Sequence, residues 1–137
     1  MPQASASSPA NFVNPEGMHR PTGYTHVVEV TGGRPVFISG QVALDPAGEL
    51  VGPGDIGAQA RQVFENLKAA LGSVGAGFGQ VVKLNLYLLD ATQLPAVREV
   101  RDRYVDTARP PASTAVQVGR LALDGLLIEV EAVAVVP

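Results

Sequence analysis

Two carboxylates, Glu129 and Glu131, stand two residues apart in a closing stretch that is otherwise apolar, Leu126 to Val136. On a strand, residues i and i+2 share a face, so both charges belong to one side of a segment that had the residues to be greasy throughout. A carboxylate on a half-dry face can handle water and protons, or it can pair structurally with a neighbour. For Glu129 both roles stand open on residue type alone. Glu131 is read as the structural one, paired with Lys83 or an arginine. Upstream lies Pro110-Pro111-Ala112-Ser113-Thr114, a rigid entry into another strand. Ser113 can hydrogen-bond a ligand, but no histidine is near it in sequence to make it a nucleophile. Arg98 is read first as a solvated helix charge and second as a cation for such a site; Arg109 and Arg120 are lesser candidates of the same kind. His19 and His26 are expected to be solitary surface residues. With no cysteine and only two histidines, thiolate and histidine-based metal sites are excluded, and neither metal nor cofactor is expected.

The composition bounds the rest. A chain of 137 residues suits one domain with a real core. Its net charge is −3, with no basic stripe, which speaks against a nucleic-acid partner. The apolar runs are too short to span a membrane. The opening Met1 to Ala10 is small and polar, without the apolar centre of a secretory signal. Residues 1–20 are expected to be a flexible tail and irregular lead-in, residues 21–137 a single domain, and the protein cytoplasmic.

The elements that must position these residues follow from periodicity. The stretch 11–25 is rich in Pro, Gly and Asn and reads as irregular. Strands are predicted at 26–30 and 35–44, with a brief one at 49–51. On the second, Val36, Ile38, Val42 and Leu44 point one way and Phe37, Ser39, Gln41 and Ala43 the other. A helix over 55–74 carries Ala60, Val63, Phe64, Leu67, Ala70, Leu71 and Val74 at helical spacing, with Asp55 as its N-cap. A strand over 81–89 puts Val82, Leu84, Leu86 and Leu88 on one face and Lys83, Asn85 and Tyr87 on the other. A second helix over 92–104 buries Leu94, Val97, Val100 and Tyr104, with Arg98–Asp102 and Glu99–Arg103 as i,i+4 pairs. Two closing strands, joined by a short connection, read as a hairpin. Two helices on one sheet make a two-layer α+β domain. The other face collects Phe37, Ser39, Gln41, Lys83, Asn85, Tyr87, Glu129, Glu131, Val133 and Val135, and alternation is expected to add Ser113 and Gln117. That face is too apolar for water and too polar for a core, so a second copy of the chain is expected to cover it, with a pocket at the seam.

These stretches resemble the RidA/YjgF family of small imine and enamine deaminases. The likeness is carried by Gly23-Tyr24, Ser39-Gly40-Gln41 with Leu44-Asp45-Pro46, Gln59 with Val63 and Asn66-Leu67-Lys68, Gly75 with Val81-Val82-Lys83, and Ile128-Glu129-Val130-Glu131-Ala132. The resemblance implies a chorismate-mutase-like α+β protomer, a mixed sheet with two helices on one face, and a homotrimer with small-molecule pockets at the subunit interfaces. It further implies hydrolysis of 2-imino acids to 2-oxo acids and ammonia. In that chemistry an arginine clamps the substrate carboxylate, a glutamate on the last strand handles water, and a tyrosine and strand backbone shape the pocket. Carried over, the glutamate is Glu129, the tyrosine Tyr24 and the backbone the Gly40-Gln41 segment. The arginine is absent: Ser113 stands in its place, and Arg98 stands where active members often have asparagine. The leading expectation is therefore a hydrolytic deaminase whose substrate lacks a carboxylate or meets its charge at Arg98. The alternatives are a non-catalytic trimer that binds a metabolite or acts as a regulatory or chaperone-like partner, and, weakest at this net charge, an endoribonuclease or translation inhibitor.

Overall fold

The strand at residues 128–136 lies in the middle of the sheet, between segments far from it in the chain. The structure, a computed structural model, describes residues 9–137. Its elements run β1 (Ala10–Val13), β2 (Val27–Val30), β3 (Arg34–Gln41), α1 (Ile56–Gly72), β4 (Val81–Leu88), α2 (Leu94–Arg101), β5 (Ala112–Gln117) and β6 (Ile128–Val136). The main sheet has the order β3-β6-β4-β5. β6 pairs antiparallel with β3 and β4, while β5 pairs parallel with β4. The closing hairpin expected from sequence does not form, because β4 lies between β5 and β6. The strand expected at 49–51 is reduced to a single bridge, Leu44 to Leu50. The flexible tail read over the first residues falls, for residues 1–8, outside the described residues. The irregular lead-in is corrected, since residues 10–13 form a strand.

Both helices pack on one face, giving the α+β architecture. α1 starts where Asp55 Oδ1 accepts from the Ala58 amide at 3.1 Å, as an N-cap should. It ends before Gly75, whose φ of +74° suits a residue without a side chain. Its buried stripe is Gln59, Ala60, Val63, Phe64, Leu67 and Leu71, and Val74 stays exposed. α2 is shorter than its periodicity suggests, preceded by a 3₁₀ turn over 91–93 and ending at Arg101. It buries Val97, Val100 and, unexpectedly, Arg101. The core between the layers holds these residues with Leu84, Leu86, Leu88, Ile128, Val130, Ala132 and Ala134. No helix among the described residues is long and apolar enough to cross a membrane.

Two irregularities flip the simple alternation. The register between β3 and β6 shifts between Ile38 and Gln41. Beyond that shift Ala43, not Val42, enters the core. The register between β4 and β6 shifts between Val81 and Lys83. Val81 consequently joins the core facing the helices, while Val82 joins a second cluster with Ala10 and Val135. An extra residue in one strand of a pair is what reverses the faces on either side of it.

That second cluster changes the account of the open face. β1 and β2 form an antiparallel ribbon, and Phe12 and Val28 pack against Val82, Val133 and Val135. The chain thus covers part of the face itself. Beyond the ribbon, Phe37 remains 77% exposed.

Candidate functional site

Glu129 and Glu131 lie on the face away from the helices, opposite Tyr87 and Asn85 in the β4 register. Asn85 donates to Glu131 Oε1 at 3.1 Å and the Tyr87 hydroxyl donates to the same oxygen at 2.6 Å. Glu131 is therefore tied to its neighbours on β4, and its expected partner Lys83 instead donates to Thr114 at 2.8 Å. The hydrogen bond to Glu131 is the main reason the Tyr87 phenol sits above its ordinary pKa. Burial and the charges of Glu131 and Glu129 push it the same way. Glu129 makes no hydrogen bond within the described residues. Its carboxylate rests against Gly40, in the irregular part of β3, where any side chain would collide with it. Glu129, Glu131 and Tyr87 line a cavity of about 260 Å³ with Arg120 and Leu121. Arg120 also pairs with Asp124 at 3.2 Å on the surface. Gln41 lines neither this cavity nor the next; its amide turns back to the Ser39 carbonyl at 3.1 Å.

The other candidates gather elsewhere. Tyr24, Arg98, Arg101 and Ser113 line a cavity of about 180 Å³ floored by Leu86 and Leu94. Ser113 is in register with Leu84 and Gln117 with Leu88, so both belong to the side facing the helices. Their expected place beside Glu129 is corrected: β5 enters the sheet in the opposite phase. Tyr24 is brought there by the Thr25 staple, in which the Thr25 amide and hydroxyl donate to the carbonyls of Pro111 and Pro110. The Pro-Pro entry of β5 therefore carries the tyrosine loop to Ser113. His19 and His26 are not solitary. His19 Nε2 is hydrogen-bonded to the Tyr24 hydroxyl at 2.9 Å, and His26 Nε2 donates to the His19 carbonyl at 2.7 Å. Their rings meet edge to face with centroids 4.7 Å apart. Arg109 lies over the Phe12 ring at 4.3 Å, outside this cavity.

Arg101 is the residue that sequence reasoning missed. It is 5% exposed and bonds Asp102 Oδ1 through Nε and Nη2, at 3.1 and 2.8 Å. Asp102 is thereby taken from Arg98, and the expected Arg98–Asp102 pair does not form. The Glu99–Arg103 pair does, at 3.5 Å on the solvated side. The signal was present: Arg101 follows Val97 by four residues and so falls on the buried stripe of α2. Among the described residues, no group of three or more His, Asp or Glu could hold a metal ion.

The site thus has two parts on opposite faces of one sheet: Glu129 over Gly40, and Tyr24 with Ser113 and two arginines. A sequence model of the family described as Endoribonuclease L-PSP matches residues 17–136. The protein DfrA of Myxococcus xanthus is 43% identical over 112 residues, covering 82% of this chain and 84% of its own. The mouse 2-iminobutanoate/2-iminopropanoate deaminase is 37% identical over 112 residues, covering 82% of this chain and 80% of its own. A crystal structure of a Rid-family protein of unknown function, YyfB from Yersinia pestis, superposes with a TM-score of 0.87 at 39% identity. It covers 93% of this chain and 99% of that one.

Proposed function

The chain belongs to the Endoribonuclease L-PSP family, which takes in the RutC and Rid proteins, and from that membership we propose that it is a hydrolytic deaminase of a small reactive imine or enamine. The observation that carries the reading is Glu129: a carboxylate laid against bare strand backbone at Gly40, lining a cavity and unused by any hydrogen bond among the described residues. Imine hydrolysis needs such a group. As water attacks the C=N carbon, the C–O bond forms, the π pair moves to nitrogen, and Glu129 relays one proton from the water to that nitrogen, giving a carbinolamine. The hydroxyl proton of the carbinolamine then passes to nitrogen through the same carboxylate, the C–N bond breaks as the C=O bond forms, and ammonia leaves a carbonyl product. The relative named for 2-iminobutanoate and 2-iminopropanoate deamination supports this reaction class.

The active unit in this proposal is a homotrimer with its pockets at the subunit seams, where Glu129 and Gly40 of one copy meet Tyr24, Arg98 and Ser113 of the next. Two features support it. The two parts of the site face opposite sides of one protomer's sheet, so they can serve one substrate only across a boundary. The face that carries Glu129 also leaves Phe37 bare.

Ammonia release from freshly generated 2-iminopropanoate and from neutral enamines tests the reaction. Replacing Glu129 by Ala is expected to lower the rate about 100-fold or more, the usual scale of general acid–base assistance. Equal rates for the two proteins on every substrate would remove Glu129 from the chemistry. Ser113, which brings no charge to its cavity, favours the second reading of a trimer that binds a metabolite without turning it over. Ligand-dependent thermal shifts with no product would establish that reading instead.

A further inference from the structure

We propose that Arg101, on α2, is the anion-binding group of the Tyr24–Ser113 cavity, and that this cavity takes the carboxylate of a small monocarboxylic ligand. The inference rests on the preceding reading in one respect only, that this cavity is where substrate binds.

A guanidinium is costly to bury unless its donors are used. Arg101 is 5% exposed, yet within the described residues its hydrogen bonds go only to Asp102. Both reach the same oxygen and come from the Nε and Nη2 edge. Asp102 is itself 46% exposed and does not line the cavity. Nη1 has no partner among the described residues. Arg98 lines the same cavity and forms no ion pair within them. Two guanidiniums set against one carboxylate leave a single positive charge in excess, which fits a monoanion better than a dianion.

The surroundings are shaped around this side chain. Gly23 has a φ of +79°, and a β-carbon there would stand 2.9 Å from Arg101 Nη2. The glycine before Tyr24 thus leaves the space that the guanidinium occupies. Ser113 faces the same cavity with a side chain too small to fill it and a hydroxyl able to add one hydrogen bond. Leu86 and Leu94 supply an apolar floor. The cavity, about 180 Å³, has room for a short acid. The charge that Ser113 does not bring from β5 is brought by α2. The sequence-based expectation was a substrate without a carboxylate or one whose charge is met at Arg98; here the charge is met at Arg101.

Binding isolates this inference from catalysis. Propionate and its uncharged counterpart propionamide are titrated into the full-length protein in its native assembly, followed by ¹⁵N NMR of the arginine Nε–H groups. Propionate is expected to bind at least about tenfold more tightly than the amide, the scale of one charge-assisted bond, and to move the Arg101 signal. In Arg101→Met the preference is expected to vanish, and in Arg101→Met/Ser113→Arg to return as a guanidinium re-enters the cavity from β5. Equal binding of acid and amide by wild type, or a preference that survives in folded Arg101→Met, overturns the proposal. So does propionate binding that leaves the Arg101 signal still, a readout needing no variant. The two readings fail separately. Arg101-dependent propionate binding without imine turnover leaves this inference standing and removes the deaminase. Glu129-dependent hydrolysis of neutral enamines without acid preference does the reverse.

Discussion

Single residues here act through what their neighbours leave open. Gly40 is small because Glu129 lies on it, and Gly23 because Arg101 does. Tyr104 shows the same dependence with a measurable consequence. Its ring stacks on Phe64 with centroids 5.4 Å apart, and its hydroxyl donates to Glu65 at 2.7 Å. Burial first, then the Glu65 carboxylate, raises its pKa from 10.0 to about 12. The folded state therefore holds that proton more tightly than the unfolded chain. The stability this contributes is complete below pH 10.0 and is lost as pH rises through about 12. Denaturant unfolding followed across that window is expected to show wild type losing more stability than Tyr104→Phe. Parallel pH profiles would show that the tyrosine is not coupled to folding. Glu129 stood out as a charge in an apolar segment, whereas Tyr24 became a candidate only through the family resemblance. Arg101 did not stand out, because a cation on a short helix reads as solvated until the helix is docked and its stripe is seen to include it.

At the scale of elements, α1 does more than cover the sheet. Gln59, fully buried, donates to the carbonyls of Gly52 and Gly125 at 3.2 and 2.9 Å and accepts from the Leu127 amide at 2.8 Å. One side chain thus closes the loop before α1 and the connection into β6, two residues short of Glu129. Asn66 does the same one face along, donating to the carbonyls of Val42 and Leu44, both at 3.0 Å. Gln59→Leu keeps the volume but strands the Gly125 carbonyl and the Leu127 amide, and about 2–4 kcal/mol of destabilisation is expected. A chemical denaturation midpoint unchanged from wild type would contradict that role. Helix α1, its Asp55 cap and most of strand β4 could be read from periodicity, since these elements bury one regular face. What periodicity could not supply was phase across a bulge. Val82 and Ala43 each occupy the side opposite to their expected one because one strand gains a residue on its partner. Nor could local pattern show that β5 joins the sheet beside β4 and in the phase that turns Ser113 away from Glu129. Strand pairing is a property of distant segments, and neither strand states it alone.

For the molecule as a whole, the ribbon of β1 and β2 covers part of the open face and leaves the patch at Phe37 bare. If the proposed trimer buries that patch, Phe37→Lys is expected to shift the assembly toward monomer in light scattering while leaving the far-ultraviolet circular dichroism of the protomer intact. A trimer undisturbed by that charge would place the seam elsewhere. The two-layer plan was visible from sequence as one face too many for two helices. The ribbon was not, because residues 10–13 lie in a stretch dominated by Pro, Gly and Asn and gain their strand only by pairing with residues 27–30.

The central position of β6 also bears on how the domain folds. Arg34 pairs with Val136, and Leu88 with Ile128. The middle of the sheet is thus joined to its flanks by pairings between segments far apart in the chain. Until β6 docks, β3 and β4 have no common neighbour, and the apolar stripe of α1 has only an incomplete sheet to cover. Contacts of such long sequence separation form slowly, and a chain waiting for them exposes apolar surface. A substitution that weakens the pairing of β6 would therefore loosen the strand that joins the two sides of the sheet.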